Sequence, residues 1–308
     1  MRKNLTKKLF LSVLTLAFAV ISLGASTYAW FTLSGDAEVK TFEGQVTGGA
    51  GLEIQVLGSD KDIDDAKWQT SVIESTLIEG VIGSVTLDAV SIGKDGNVKN
   101  GFKDQKGAEV EGGWIQFDLA FRLSDQTDTR DFKLYFDGYT LTTKDAASVQ
   151  AWRVNREYEG KTGTYALNAT KTYWVSDAAR LAIASKTDKT TYTAADPLYF
   201  EAPEASGSGE YTQDIPAAAS NAAVNYYNAV NPTAQLNYAE YAANYTAANS
   251  VGEKATGELI GTLTEDGVVR ITVFVWVEGW DAECINAIFT QTLQSTLSFY
   301  LDIDNATA

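Results

Sequence analysis

Four carboxylates crowd into one short stretch of the chain. In "GSDKDIDDAKW", Asp60, Asp62 and Asp64 alternate and Asp65 adjoins them. Acidic oxygens at positions 1, 3 and 5 of a loop are the usual start of a Ca²⁺ site, but an EF-hand also needs Gly at position six and Glu at twelve. Here those positions hold Asp65 and Ser71. The stretch is therefore not an EF-hand. It stands as a candidate for a looser calcium loop, weighed against a plain solvated acidic loop, and no other cofactor is expected.

The second unusual string is "EGWDAEC", Glu278–Cys284. Gly279 can end a strand, and Asp281 can cap a short helix carrying Trp280, Cys284 and Ile288 on one face. Read plainly, this is a structural corner in which Trp280 packs, Asp281 caps and Cys284 is buried as a small hydrophobe. The sharper alternative is a reactive or interchain thiol.

Other chemistry is bounded by composition. The chain has no His and one Cys, which removes Ser-His-Asp triads, His-ligated zinc and any intramolecular disulfide. Its 40 acids make chance carboxylate pairs certain, and no pattern nominates one pair for glycoside hydrolysis. No enzymatic activity is expected. Lys, Asn and Asp are abundant enough for an intramolecular Lys–Asn isopeptide crosslink of the kind found in some cell-surface pilins.

Charge separates the two ends. The net charge is −16, yet Arg2, Lys3, Lys7 and Lys8 are the only charges before Phe31. A surface so negative beyond that point repels phosphate backbones, so nucleic acid is an unsuitable partner. The apolar run Leu9–Leu23 follows the basic residues, and small residues follow it up to Ala29. Basic, apolar and small-residue regions in that order make residues 1–30 a secretory signal peptide. A retained anchor is the alternative, because the run counted on to Phe31 is long enough to span a bilayer. Contact with a membrane is thus expected only before cleavage, and the product is expected outside the cell or at its surface.

The elements that must position any site are strands. "WIQFDLAFRL" places Ile115, Phe117, Leu119, Phe121 and Leu123 on one face against Gln116, Asp118 and Arg122, a strict period of two. "DFKLYFDGYTL", "GLEIQVL", "GSVTLDAVSI" and "STLSFYLDI" read similarly, and Lys94–Asn97 offers a tight turn. "VVRITVFVWV" is apolar on both faces, which calls for a central strand covered on both sides, with Trp276 in a packing role. "ARLAIAS" alternates as a strand, with Ser176–Asp177 as a candidate helix cap before it. Ala217–Asn249 is rich in Ala, Asn and Tyr. Asn231–Pro232 there suits a helix start, and Tyr238, Tyr241 and Tyr245 fall on one helical face. The fold class is mainly β: a jelly-roll-like antiparallel β-sandwich over residues 31–308, one domain, with a partly helical insertion at about 203–252.

"TYAWFTLS" after the apolar run, "GGAGLEIQVL", "VFVWVEGWDAEC" and "LSFYLDI" together resemble the SipW-cognate, TasA- and camelysin-like exported proteins of Gram-positive bacteria. Ala217–Asn249 has no counterpart in that resemblance. It implies cleavage by a signal peptidase close to the aromatic pair, with a mature start at Trp30 or Phe31. It implies a jelly-roll-like sandwich. It also implies extracellular biofilm fibres, homopolymers in which the N-terminal segment of one subunit completes a sheet of the next. Camelysin has been described as a protease, a role the His-free residues here do not support. Phe31, Leu33, Ala37 and Val39 alternate with Thr32, Ser34, Glu38 and Lys40, broken by Gly35–Asp36. Such a segment can add to an exposed sheet edge once freed from the membrane, or pair within its own subunit. The expected function is a secreted fibre or matrix subunit. The alternatives are a monomeric adhesin or carbohydrate-binding module using exposed aromatics and, behind it, a secreted hydrolase.

Overall fold

The computed structural model describes residues 42–48, 51–58, 60–73, 76–77, 80, 86–92, 97–104, 107–125, 127–160, 163–201, 228–233, 257–279, 281 and 283–303. The signal-peptide region, the Phe31–Val39 segment, residues 94–96 of the expected turn, Trp280 and all of the 203–252 insertion except 228–233 lie outside them. Within that insertion, residues 228–230 form a helical turn before Pro232.

The chain is mainly β. Its strands are β1 Phe42–Gly48, β2 Leu52–Leu57, β3 Ser71–Val72, β4 Ala89–Val90, β5 Phe102–Lys103, β6 Glu109–Val110, β7 Ile115–Leu123 and β8 Phe132–Thr143. There follow β9 Trp152–Arg153, β10 Tyr158–Gly160, β11 Gly163–Tyr165, β12 Thr170–Lys171, β13 Ala179–Lys186 and β14 Leu198–Glu201. The last three are β15 Glu258–Leu263, β16 Val269–Glu278 and β17 Leu293–Ile303. A five-stranded sheet runs β15-β8-β17-β1-β3, and a six-stranded sheet runs β14-β13-β16-β7-β2 with β4 beside β16. Most pairs are antiparallel, but β1 runs parallel to β17 and β4 parallel to β16.

The two sheets share one apolar core. The alternation of β7 turns Ile115, Phe117, Leu119, Phe121 and Leu123 inward, all buried. Across the interface Phe121 meets Phe299 of β17 with centroids 4.7 Å apart, and Phe136 of β8 meets Phe200 of β14 at 4.8 Å. Tilted ring pairs at such spacings add about 0.5–1.5 kcal/mol each beyond area burial. One side of the sandwich is closed by a strand segment that changes sheets: Gln69 exchanges backbone hydrogen bonds with Ile54 of β2, and Ser71–Val72 then pairs with β1. On the other side the Ser185 hydroxyl donates to the Ile260 carbonyl of β15 at 3.2 Å.

The strand with two apolar faces is central and covered twice. β16 lies between β13 and β7. Ile271, Val273, Val275 and Val277 enter the main core. Phe274 and Trp276 point to the outer face, where Val90, Ile92, Val98 and Phe102 form a second small core over them. Phe102 stacks on Trp114 at 4.6 Å and meets Trp276 edge-on at 5.5 Å. The segment carrying β4–β6 thus roofs part of the outer sheet face.

Before β13, residues Val175–Ala178 form a single helical turn, α1. Ser176 and Asp177 lie inside it rather than capping it. The cap residue is Trp174, with no side-chain cap bond. The Val175 amide instead donates to Gln291 Oε1 at 2.8 Å, which ties the turn to the start of β17.

Candidate functional site

The polar face of β7 is not a water face. Asp118 pairs in register with Thr272 of β16, on the roofed side of the six-stranded sheet, and is fully buried. A carboxylate taken from water needs charge and hydrogen-bond partners, and three converge on it. Lys186 Nζ, from the end of β13, lies 3.0 Å from Oδ2. Lys61 Nζ, from the acidic loop after β2, lies 3.3 Å from the same oxygen. The Thr272 hydroxyl donates to Oδ1 at 2.5 Å.

Neighbours hold these groups in place. Lys61 has a left-handed backbone, φ 58°; its amide donates to the Gly58 carbonyl, and its own carbonyl accepts from Arg270 at 3.0 Å. Tyr192 lies over Lys186, its ring centroid 5.4 Å from Nζ. Two cations against one carboxylate set the electrostatics. Burial pulls the Lys186 ammonium below its ordinary pKa despite the opposing pull of Asp118, and the Lys61 charge adds to the lowering. For Lys61, burial acts downward, but the charge and hydrogen bond of Asp118 outweigh it and the pKa rises. Burial also raises the Tyr192 phenol.

The four aspartates of the acidic loop are turned to separate partners. Asp60 accepts from the Asp62 amide at 3.2 Å, and Asp64 caps the short 3₁₀ turn Asp65–Lys67 by accepting from the Ala66 amide at 3.0 Å. Asp62 pairs with Lys189, and Asp65 lies 3.5 Å from Arg122. Among the described residues no group of three or more acidic or thiol side chains is arranged to hold a metal ion.

The Glu278–Cys284 corner is held by a residue from far away in sequence. Asp281 Oδ2 accepts from Arg180 of β13 at 2.6 Å, both side chains being buried. Asp281 Oδ1 accepts from the Glu283 amide at 2.9 Å, so it does cap the turn. The segment continues as turns and a 3₁₀ helix at Asn286–Ile288 rather than as one α-helix. Glu278, also buried, accepts from the Trp276 indole at 3.2 Å. Cys284 is a buried free thiol whose pKa is pushed well up by burial, with Asp281 and Glu278 adding to the effect.

A groove of about 330 Å³ opens at one end of the sandwich, lined by Gly51, Leu123, Asp125, Asp128, Arg130, Phe132 and Leu301 among others. Arg130 and Asp128 pair across 2.6 Å at its mouth, with the guanidinium 5.2 Å from the Phe132 ring.

Lys61, Lys186, Thr272 and Arg180 escape a reading of the sequence alone. The available signal was indirect: a strand apolar on both faces is covered on both sides, so a polar residue paired with it in register, such as Asp118 opposite Thr272, can be buried. Compared with family models, curated proteins and solved structures, the chain matches none.

Proposed function

We propose that this chain is a secreted structural subunit, freed from a signal peptide, that polymerises at the cell surface or in an extracellular matrix. The jelly-roll-like reading and the resemblance to the SipW-cognate exported proteins belong to the same proposal. In it, the segment containing Phe31, Leu33, Ala37 and Val39 adds as a strand to β15 of a second copy.

The observation that supports this reading is the layout of the five-stranded sheet. Among the described residues β15 has a ladder partner on one side only, β8. Leu259 on it is 52% exposed, an apolar residue on an edge whose side-chain bond to the second sheet is from Ser185 to the Ile260 carbonyl, and natural sheets otherwise protect such edges with charge or Pro. β1 lies toward the opposite edge, and Phe42 enters it level with Leu293 and Thr143. Glu258 of β15 is level with Phe136. From Phe42 to Glu258 is three strand spacings sideways and seven residues along, roughly 27 Å in all. Residues 31–41 fully extended span about 37 Å. Reaching the β15 edge of its own subunit would use most of that length and leave too little to pair along it. A second copy has no such limit, and a donor at one edge with an acceptor at the other is a heterologous contact that propagates.

Leu259→Lys tests this reading. It places a charge on the open edge at an exposed position, so folding is expected to be unchanged while fibres are lost in electron micrographs. Fibres of normal abundance from this variant would remove β15 as the acceptor.

A second reading rests on the end groove. Its mixture of Phe132, Leu301 and the Asp128–Arg130 pair suits a small polar ligand on an apolar floor, as in a surface-binding module. A glycan-array screen in which Arg130→Ala abolishes a specific signal would support it.

A further inference from the structure

We propose that Lys186 and Asp118 close an intramolecular isopeptide bond with release of water, stapling β13 to β7 across β16. Three observations point to it, and none depends on whether the chain polymerises.

The first is proximity. Lys186 Nζ and Asp118 Oδ2 are 3.0 Å apart, an ion-pair contact that holds the amine beside the carboxyl group it would attack. Both flank β16 on one face, two residues apart in register, since Asp118 pairs with Thr272 and Lys186 with Arg270. The second is enclosure. Asp118 is fully buried and the Lys186 side chain is 2% exposed, with Tyr192 over the amine and Phe274 beside Tyr192. Exclusion of water favours condensation of a charged pair into a neutral amide, because the separate ions are costly to bury. The third is the presence of an acid and an oxyanion donor. Lys61 Nζ, 3.3 Å from Oδ2, stands where a proton must be supplied to the departing oxygen. The Thr272 hydroxyl, 2.5 Å from Oδ1, holds the oxygen that gains charge.

The steps balance. Lys186 starts as the ammonium and Asp118 as the carboxylate. The ammonium gives one proton to Oδ2, and the freed amine attacks Cγ. The tetrahedral centre holds its charge on Oδ1 against Thr272. Lys61 then protonates the Oδ2 hydroxyl, which leaves as water, and recovers its proton from the Lys186 nitrogen. One C–N bond forms and one C–O bond breaks. No oxidant or other reactant takes part. The fall of the Lys186 ammonium below its ordinary pKa suits the amine role, and the Asp118 charge keeps Lys61 protonated beside the reacting group.

The experiment is an intact-mass measurement on the purified exported protein, followed by tryptic mapping. The expected mass is about 18 Da below that calculated for the cleaved chain from its sequenced N-terminus, with the fragments bearing Asp118 and Lys186 recovered as one branched species. Lys186→Arg keeps the ion pair and the fold, and is expected to restore the full mass; Asp118→Ala should do so too. Lys61→Met is expected to slow closure, so that freshly folded protein shows both masses. Full sequence mass in a folded wild-type protein overturns the proposal. So does a loss of water mapped to Lys61 instead of Lys186.

Discussion

Removing Asp281 takes a carboxylate away from a guanidinium inside the protein. Arg180 and Asp281 meet at 2.6 Å with side chains 1% and 5% exposed, so Asp281→Ala breaks one side of a buried ion pair. Breaking one side of such a pair costs about 3–5 kcal/mol, far more than a surface ion pair is worth. The variant also loses the bond from the Glu283 amide, which as a cap is worth about 1 kcal/mol. Arg180 keeps hydrogen bonds from NH1 to the Asp177 and Ala179 carbonyls, which holds the sum near the lower end, about 4 kcal/mol. Urea unfolding followed by tryptophan fluorescence reads this as a lower midpoint at unchanged slope. The second half of the test is Arg180→Met combined with Asp281→Ala. Because both members of the ion pair are then gone, the double variant should recover at least half of the loss, since apolar replacement of a whole buried pair is often neutral. A single variant within 1 kcal/mol of wild type, or a double variant weaker than the sum of its parts, would refute the reasoning.

Other expectations follow from the same packing. Cys284, buried and with its thiol pKa pushed up, should resist a chromogenic disulfide reagent at neutral pH and react only on unfolding; labelling of the native protein would contradict this. Phe299→Ala removes a ring that touches both Phe121 and Phe136 and is expected to destabilise by about 3–5 kcal/mol in denaturant titration. The Asp128 carboxyl is lowered to about 2 by side-chain and backbone hydrogen bonds from Arg130. A depressed folded pKa contributes stability above the unfolded value of about 3.9 and loses it as pH falls through about 2. Carboxyl-carbon NMR should show that low midpoint in wild type and a higher one in Arg130→Gln, which loses the side-chain bonds but keeps the backbone bond.

What the sequence made legible was local. β7 and β16 could be read because a period of two over a whole strand has one sensible burial, and because two apolar faces require a central position. The parallel pairing of β1 with β17 was not legible, since it joins opposite ends of the chain and leaves no local trace in either strand. The same holds for Arg180 and Asp281, 101 residues apart. Asp118 looked like a water-facing residue because its neighbours Gln116 and Arg122 are polar. Lys61, Lys186 and Tyr192, brought from distant parts of the chain, are what enclose it. The acidic loop shows the reverse case. Its spacing suggested convergence, but Asp62 and Asp65 are drawn apart by Lys189 and Arg122, cations supplied by strands and loops elsewhere.

The central claim is assembly through the residues before β1, and one comparison tests it most directly. Phe42 and Glu43 belong to the subunit's own sheet, so the control must begin at Phe42 to keep β1 whole. Purified residues 31–308 and 42–308 would be imaged side by side by negative-stain electron microscopy at matched concentration and pH, with circular dichroism confirming that both fold. Fibres from the longer chain and only monomers from the shorter one are predicted. Folded monomers from both, or fibres from both, would contradict the account.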